Sequence, residues 1–188
     1  GRLLTVDWVA HNDMSPQNRY YGTPWRRDNS FMGGFLLDGG VHQIAALRLI
    51  AGEIASVSAV ATQHRPDLPP ADTLSAALAF ENGAVGTYAV TYASGSPWPA
   101  SLRVVGDTGA LRVHHSGIEI TGADGQTQQI EFDGRSGIQD QMAAFAAAIR
   151  RGEPHFNTPA EAVQDVAIIE AMLRSAETGQ RVAPERVV

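Results

Sequence analysis

TLSAALAFENGAVGTYAVTY (residues 73–92) reads as two strands folded back on one turn. Leu74, Ala76, Leu78 and Phe80 alternate with Thr73, Ser75, Ala77 and Ala79, the period of two of a half-buried strand. Asn82-Gly83 tolerates the positive φ that a tight hairpin needs, and residues 85–92 return as the partner strand. The pattern continues on both sides. Residues 101–105 turn at Gly106-Asp107-Thr108-Gly109 into 110–113, and 118–121 turn at Gly122-Ala123-Asp124-Gly125 into 128–132. Successive hairpins between 54 and 132 imply a largely antiparallel sheet.

Helical spacing flanks this block. Leu37, Val41, Ile44, Leu47 and Ala51 share one face of a helix over about 39–51, stopped at Gly52. Ile138, Met142, Phe145 and Ile149 form a second apolar face, stopped at Gly152. Thr158-Pro159-Ala160-Glu161 is a capping box, and Ala162, Val166, Ile169, Leu173 and Ala176 form a third face, stopped at Gly179. The expected fold is α+β: an open, largely antiparallel sheet with helices on one face. The uncovered face, carrying Tyr88, Val90 and Tyr92 or their alternates, is expected to be an interface, which makes the protein a homo-oligomer.

The chain of 188 residues suits one domain. It opens as a strand over residues 1–9 with no leading tail, so a piece of a longer protein is expected, a trimmed natural start being the alternative. A net charge of −6 argues against a nucleic-acid partner. The chain has no cysteine, which removes thiolate metal sites and thiol nucleophiles. No apolar run is long enough to span a membrane and no signal-peptide pattern opens the chain, so the cytoplasm is the expected compartment. All fourteen basic residues are arginines.

GGFLLDGGVHQI (residues 33–44) carries the chemistry. Four glycines cost about 1 kcal/mol each inside a helix, so they need another reason, such as close approach of a ligand or a backbone at Gly39 and Gly40. Asp38 and His42 share a helix face, where a carboxylate and an imidazole can bind a hydroxyl and move a proton. The plainer alternative makes Asp38 the helix N-cap and His42 a surface neighbour. Residues 12–32 form a long loop, in which Trp25, Arg26 and Arg27 either pin a ligand or anchor the loop. His11 stands at a strand end that either lines a pocket or forms its solvated rim. His114 and His115 point to opposite faces of a strand and cannot chelate one metal. His64 and His155 read as surface residues. No phosphate-binding glycine register and no nucleophile motif appears, and no metal site is expected.

These residues carry a resemblance. Trp25-Arg26, Gly33-Gly34 through Asp38-Gly39-Gly40-Val41-His42, and Leu47-Arg48 through Gly52 resemble the signature of the Gfo/Idh/MocA oxidoreductases. Phe80-Glu81-Asn82-Gly83-Ala84, Val105-Gly106-Asp107-Thr108-Gly109 and Ser175-Ala176-Glu177-Thr178-Gly179 extend it over essentially the whole chain. The resemblance implies a substrate-binding and oligomerisation domain of dihydrodipicolinate-reductase-like type. It implies that NAD or NADP is bound by an N-terminal Rossmann domain upstream of residues 1–188. It also implies oxidation of a sugar, inositol or related polyol. His42 then takes a proton from the substrate hydroxyl, Asp38 binds that hydroxyl or orients the site, and Gly39 admits the nicotinamide; Trp25, Arg26 and His11 stay the candidate substrate contacts that the residues themselves suggest. The family's catalytic lysine cannot come from this lysine-free chain, and position 46 is alanine where the family often has aspartate. The isolated chain is therefore expected to be inactive and to bind no cofactor alone. A ligand-sensing family member and a stand-alone binding module remain as alternatives.

Overall fold

A computed structural model describes residues 1–28, 32–134 and 137–187. Asn29, Ser30 and Phe31 of the long loop lie outside the described residues.

Eight strands form one mixed sheet: β1 (Leu3–His11), β2 (Ile54–Thr62), β3 (Thr73–Phe80), β4 (Val85–Thr91), β5 (Ser101–Gly106), β6 (Gly109–His114), β7 (Gly117–Gly122) and β8 (Thr127–Glu131). Their order is β2-β3-β4-β1-β5-β6-β7-β8. The hairpins fall where the turn residues put them, and Gly83 has φ 87° at the β3–β4 turn. β1 slots between β4 and β5, parallel to the first and antiparallel to the second.

Helices α1 (Gly34–Ala51) and α3 (Pro159–Thr178) pack together over β2 and the inner strands. Between them and the sheet lie Val6, Leu74, Leu78, Phe80, Tyr88, Val90, Ile44, Leu47, Ile168 and Met172, all buried. Tyr88, Val90 and Tyr92 therefore face the helices. Their alternates Val85, Thr87, Ala89 and Thr91, paired with Ala79, Ala77, Ser75 and Thr73, lie on the uncovered face. Along β3 and β4 that face mixes small apolar side chains (Val85, Ala89, Ala77, Ala79) with hydroxyls (Thr87, Thr91, Ser75, Thr73).

Two helical faces differ from their sequence patterns. In α3 the buried stripe runs through Gln164, Asp165, Ile168, Met172 and Ser175; of the expected face Ile169 is buried, Val166, Leu173 and Ala176 are half-buried, and Ala162 is exposed. Three of those are polar and each is satisfied. Gln164 donates to the Glu185 carbonyl and accepts from the Val187 amide, Asp165 meets Arg48, and Ser175 bonds the Ala59 amide and the Gln180 carbonyl. Helix α2 (Gly137–Arg151) keeps its apolar face out of the core: Ile138 is 69% and Ile149 70% exposed. The Thr158 cap is as expected, accepting the Glu161 amide at 3.3 Å.

Candidate active site

Helix α1 begins at Gly34, five residues earlier than its apolar periodicity suggests, with Gly33 at φ 81° as its N-cap residue. Asp38 is therefore the fifth residue of the helix, not its cap. A side chain at Gly34 would run into the Pro69 carbonyl, so glycine is what lets the 63–72 loop close over the helix start.

Asp38 is held from the long loop. A single 3₁₀ turn, Pro24–Arg26, presents the Arg26 guanidinium: Nε donates to Oδ2 at 2.6 Å and Nη2 to Oδ1 at 3.1 Å. This two-pronged pair fixes the plane of the carboxylate. The Arg26 guanidinium lies 4.4 Å from the Trp25 ring centre and 5.3 Å from that of Tyr20. Trp25 and Arg26 thus brace Asp38. The loop is tied down in turn. Tyr21 donates to Asp67 at 2.9 Å, Arg65 donates to the Met14 carbonyl at 3.1 Å and to Asp67 at 2.6 Å, and the Arg65 hydrogen bond holds the Asp67 carboxyl below its usual range.

His42 follows one turn after Asp38, their Cβ atoms about 5–6 Å apart by helix geometry. It is exposed and opens onto a groove of about 650 Å³ between α1 and the start of α3, with Ala45, Ala46, Leu49, Phe156 and Val166 along it. Arg48 closes the far end. Its guanidinium meets Glu53 at 2.7 Å, Glu161 at 2.6 Å and Asp165 at 2.8 Å. Burial alone would lower its pKa; the carboxylates outweigh that and raise it.

The two central glycines are filled from within the protein. A Cβ on Gly39 would overlap the Tyr92 hydroxyl, and one on Gly40 would sit 2.8 Å from Ile169 Cδ1 of α3. Close approach is what they serve, but the visitors are a tyrosine and a helix. His11 does not join the site: the alternation of β1 turns it, with Asp7, to the uncovered face. Among the described residues no His/Cys/Asp/Glu group could hold a metal ion. Sequence reading missed Tyr92 as a neighbour of the site. Its place one residue past β4, continuing the buried alternation of Tyr88 and Val90, was the available signal.

The chain's own residues do not fit a dinucleotide. The glycine notches of α1 are occupied by Tyr92 and Ile169, and α1 follows a loop rather than a parallel strand. What they form is a braced carboxylate, an exposed imidazole one turn further on and an open groove.

A family model described as "Oxidoreductase family, C-terminal alpha/beta domain" matches residues 1–183. Dehydrogenase FPY6 of Fusarium mangiferae is 28% identical over 185 residues, covering 94% of this chain and 53% of that protein. D-xylose 1-dehydrogenase (NADP(+)) 2 of Haloferax volcanii is 30% identical over 165 residues, covering 84% and 50%. The crystal structure of an oxidoreductase from Thermotoga maritima superimposes with a TM-score of 0.87 at 33% identity, covering 97% of this chain and 54% of that one. The chain spans about half the length of the curated relatives it matches.

Proposed function

Because the chain belongs to the Gfo/Idh/MocA oxidoreductase family as its C-terminal α/β domain, we propose that it is the substrate half of an NAD(P)-dependent dehydrogenase. The substrate is a CH–OH group of a sugar, inositol or related polyol. The observation that carries this reading is the Asp38 carboxylate clamped by Arg26, with His42 one turn further along the same helix. Asp38, its carboxylate held by Arg26, orients the substrate beside His42. His42, exposed beside the groove, accepts the hydroxyl proton as the carbonyl forms. NAD or NADP, the hydride acceptor of such reactions, is brought by a nucleotide-binding domain outside this chain. The chain alone then transfers no hydride.

Two further statements belong to this reading. The protein works in the cytoplasm, and copies associate through the uncovered sheet face, whose small Ser75, Ala77, Thr87 and Ala89 allow flat, close contact. No helix among the described residues is long and apolar enough to cross a membrane.

The test uses the full-length polypeptide carrying this chain. It is assayed with NAD and NADP against D-xylose, D-apiose and myo-inositol, following the reduced nicotinamide. Asp38→Asn and His42→Asn are each expected to lower kcat by roughly 10²–10⁴. Activity that survives both substitutions would overturn the reading.

A further inference from the structure

We propose that the apolar stripe of α2, with Phe156 beside it, is the seat of the nucleotide-binding domain that the same polypeptide carries outside this chain. The proposal rests on the dehydrogenase reading above.

Met142, Phe145 and Ile149 follow one another at spacings of three and four, so they line one side of α2. They are 55%, 49% and 70% exposed. The buried residue of α2 is Ala147. It stands two positions from both Phe145 and Ile149, about 200° round the helix, and so on the opposite side. The helix thus turns a methyl group inward and its large apolar side chains outward. Among the described residues no strand or other helix packs closely against it. A surface helix ordinarily turns its apolar stripe to the core, and a contiguous apolar patch left outside marks an interaction site.

The surroundings of the stripe point to its occupant. The Phe145 ring meets His155 edge-on, ring centres 5.9 Å apart. His155 and Phe156, the latter 86% exposed, line the groove onto which His42 opens. Stripe and groove are therefore one continuous surface. A domain that carries the hydride acceptor into the groove meets Phe156 there, and the stripe of α2 is the apolar ground next to it. A second copy bound through the uncovered sheet face lies across the sheet from α1 and this groove. About half of each curated relative lies beyond the part aligned with this chain, enough for one further domain.

The experiment places the photo-crosslinking residue p-benzoylphenylalanine at position 149 of the full-length polypeptide and maps the product by mass spectrometry. The expected result is a crosslink at monomer mass that joins residue 149 to a peptide outside residues 1–188. A crosslink at dimer mass would overturn the proposal in favour of a second copy. So would a crosslink confined to residues 1–188, or none. Kinetics of the full-length double variant Met142→Ser with Ile149→Ser give a second readout. Its kcat/KM for NAD or NADP is expected to fall about tenfold at an unchanged thermal midpoint, because a loosened domain presents the hydride acceptor to the groove less often. Wild-type kcat/KM in that variant would overturn the proposal. The expected crosslink in a wild-type protein that turns over none of D-xylose, D-apiose and myo-inositol with NAD or NADP would instead overturn the dehydrogenase reading and leave the docking face in place.

Discussion

Replacing Arg48 with methionine tests how α1 is held. Arg48 is 5% exposed and so is Asp165, its partner at 2.8 Å, whereas Glu53 and Glu161 are 30% and 40% exposed. The two outer pairs contribute roughly 0.5 kcal/mol each. The inner pair matters more, because without Arg48 the Asp165 carboxylate is buried and unpaired, a situation that costs about 3–5 kcal/mol. A loss of about 4 kcal/mol lowers the melting temperature of a chain this size by roughly 8–16 °C. The pH dependence follows from Asp165. Burial raises its pKa even though the Arg48 hydrogen bond pulls it down. A carboxyl raised on folding contributes stability below its unfolded pKa and loses it as pH rises through the folded value. Methionine removes the pull of Arg48, so the folded value climbs further and the penalty at neutral pH grows. Thermal unfolding followed by circular dichroism should therefore show a larger deficit at neutral pH than at mildly acidic pH. Adding Asp165→Asn should recover part of it. A deficit under about 1 kcal/mol, or an equal deficit at both pH values, would refute the argument.

Three further outcomes are open to measurement. Gly83→Ala places a side chain at φ 87° in the β3–β4 turn and should cost about 1 kcal/mol in denaturant unfolding. Ala77→Arg, on the uncovered sheet face, should shift light-scattering mass from oligomer to monomer; an unchanged mass would rule out that face as the contact. Ile149→Ser on α2 should leave the stability of this chain within about 0.5 kcal/mol of wild type, since the side chain is 70% exposed.

Local chemistry made the hairpins, the Thr158 cap and the shared face of Asp38 and His42 readable, because each depends on residues no more than a few positions apart. What stayed hidden depends on distant partners. Nothing in residues 3–11 says that β1 enters between β4 and β5, since its pairing is set by strands about 80–100 residues away. The α3 face was legible only in part, at Ile169 and Leu173, because the rest of its buried stripe contains Gln164, Asp165 and Ser175, polar residues whose partners lie on other elements. The start of α1 was read late because its glycines count against a helix until Pro69, Tyr92 and Ile169 are known to press on them. The α2 pattern was read correctly as amphipathic, yet an amphipathic face does not say what covers it.

The placing of Asp38 and His42 gains its meaning from how α1 is fixed at both ends. At its start, Gly34 fits beneath Pro69 and Arg26 grips Asp38; at its end, Arg48 binds Glu53, Glu161 and Asp165. Gly39 and Gly40 cost about 1 kcal/mol each in propensity, which the close packing of Tyr92 and Ile169 offsets. The helix is therefore held on its sheet side and at its ends, while the turn carrying His42 stays open to the groove. A helix meant only to fill a core would be covered on that side as well. In the dehydrogenation proposed above, a proton leaves the hydroxyl oxygen and a hydride leaves the carbon that bears it, which suits the reverse: a held acceptor pair on one side, and an open flank through which the hydride acceptor reaches that carbon.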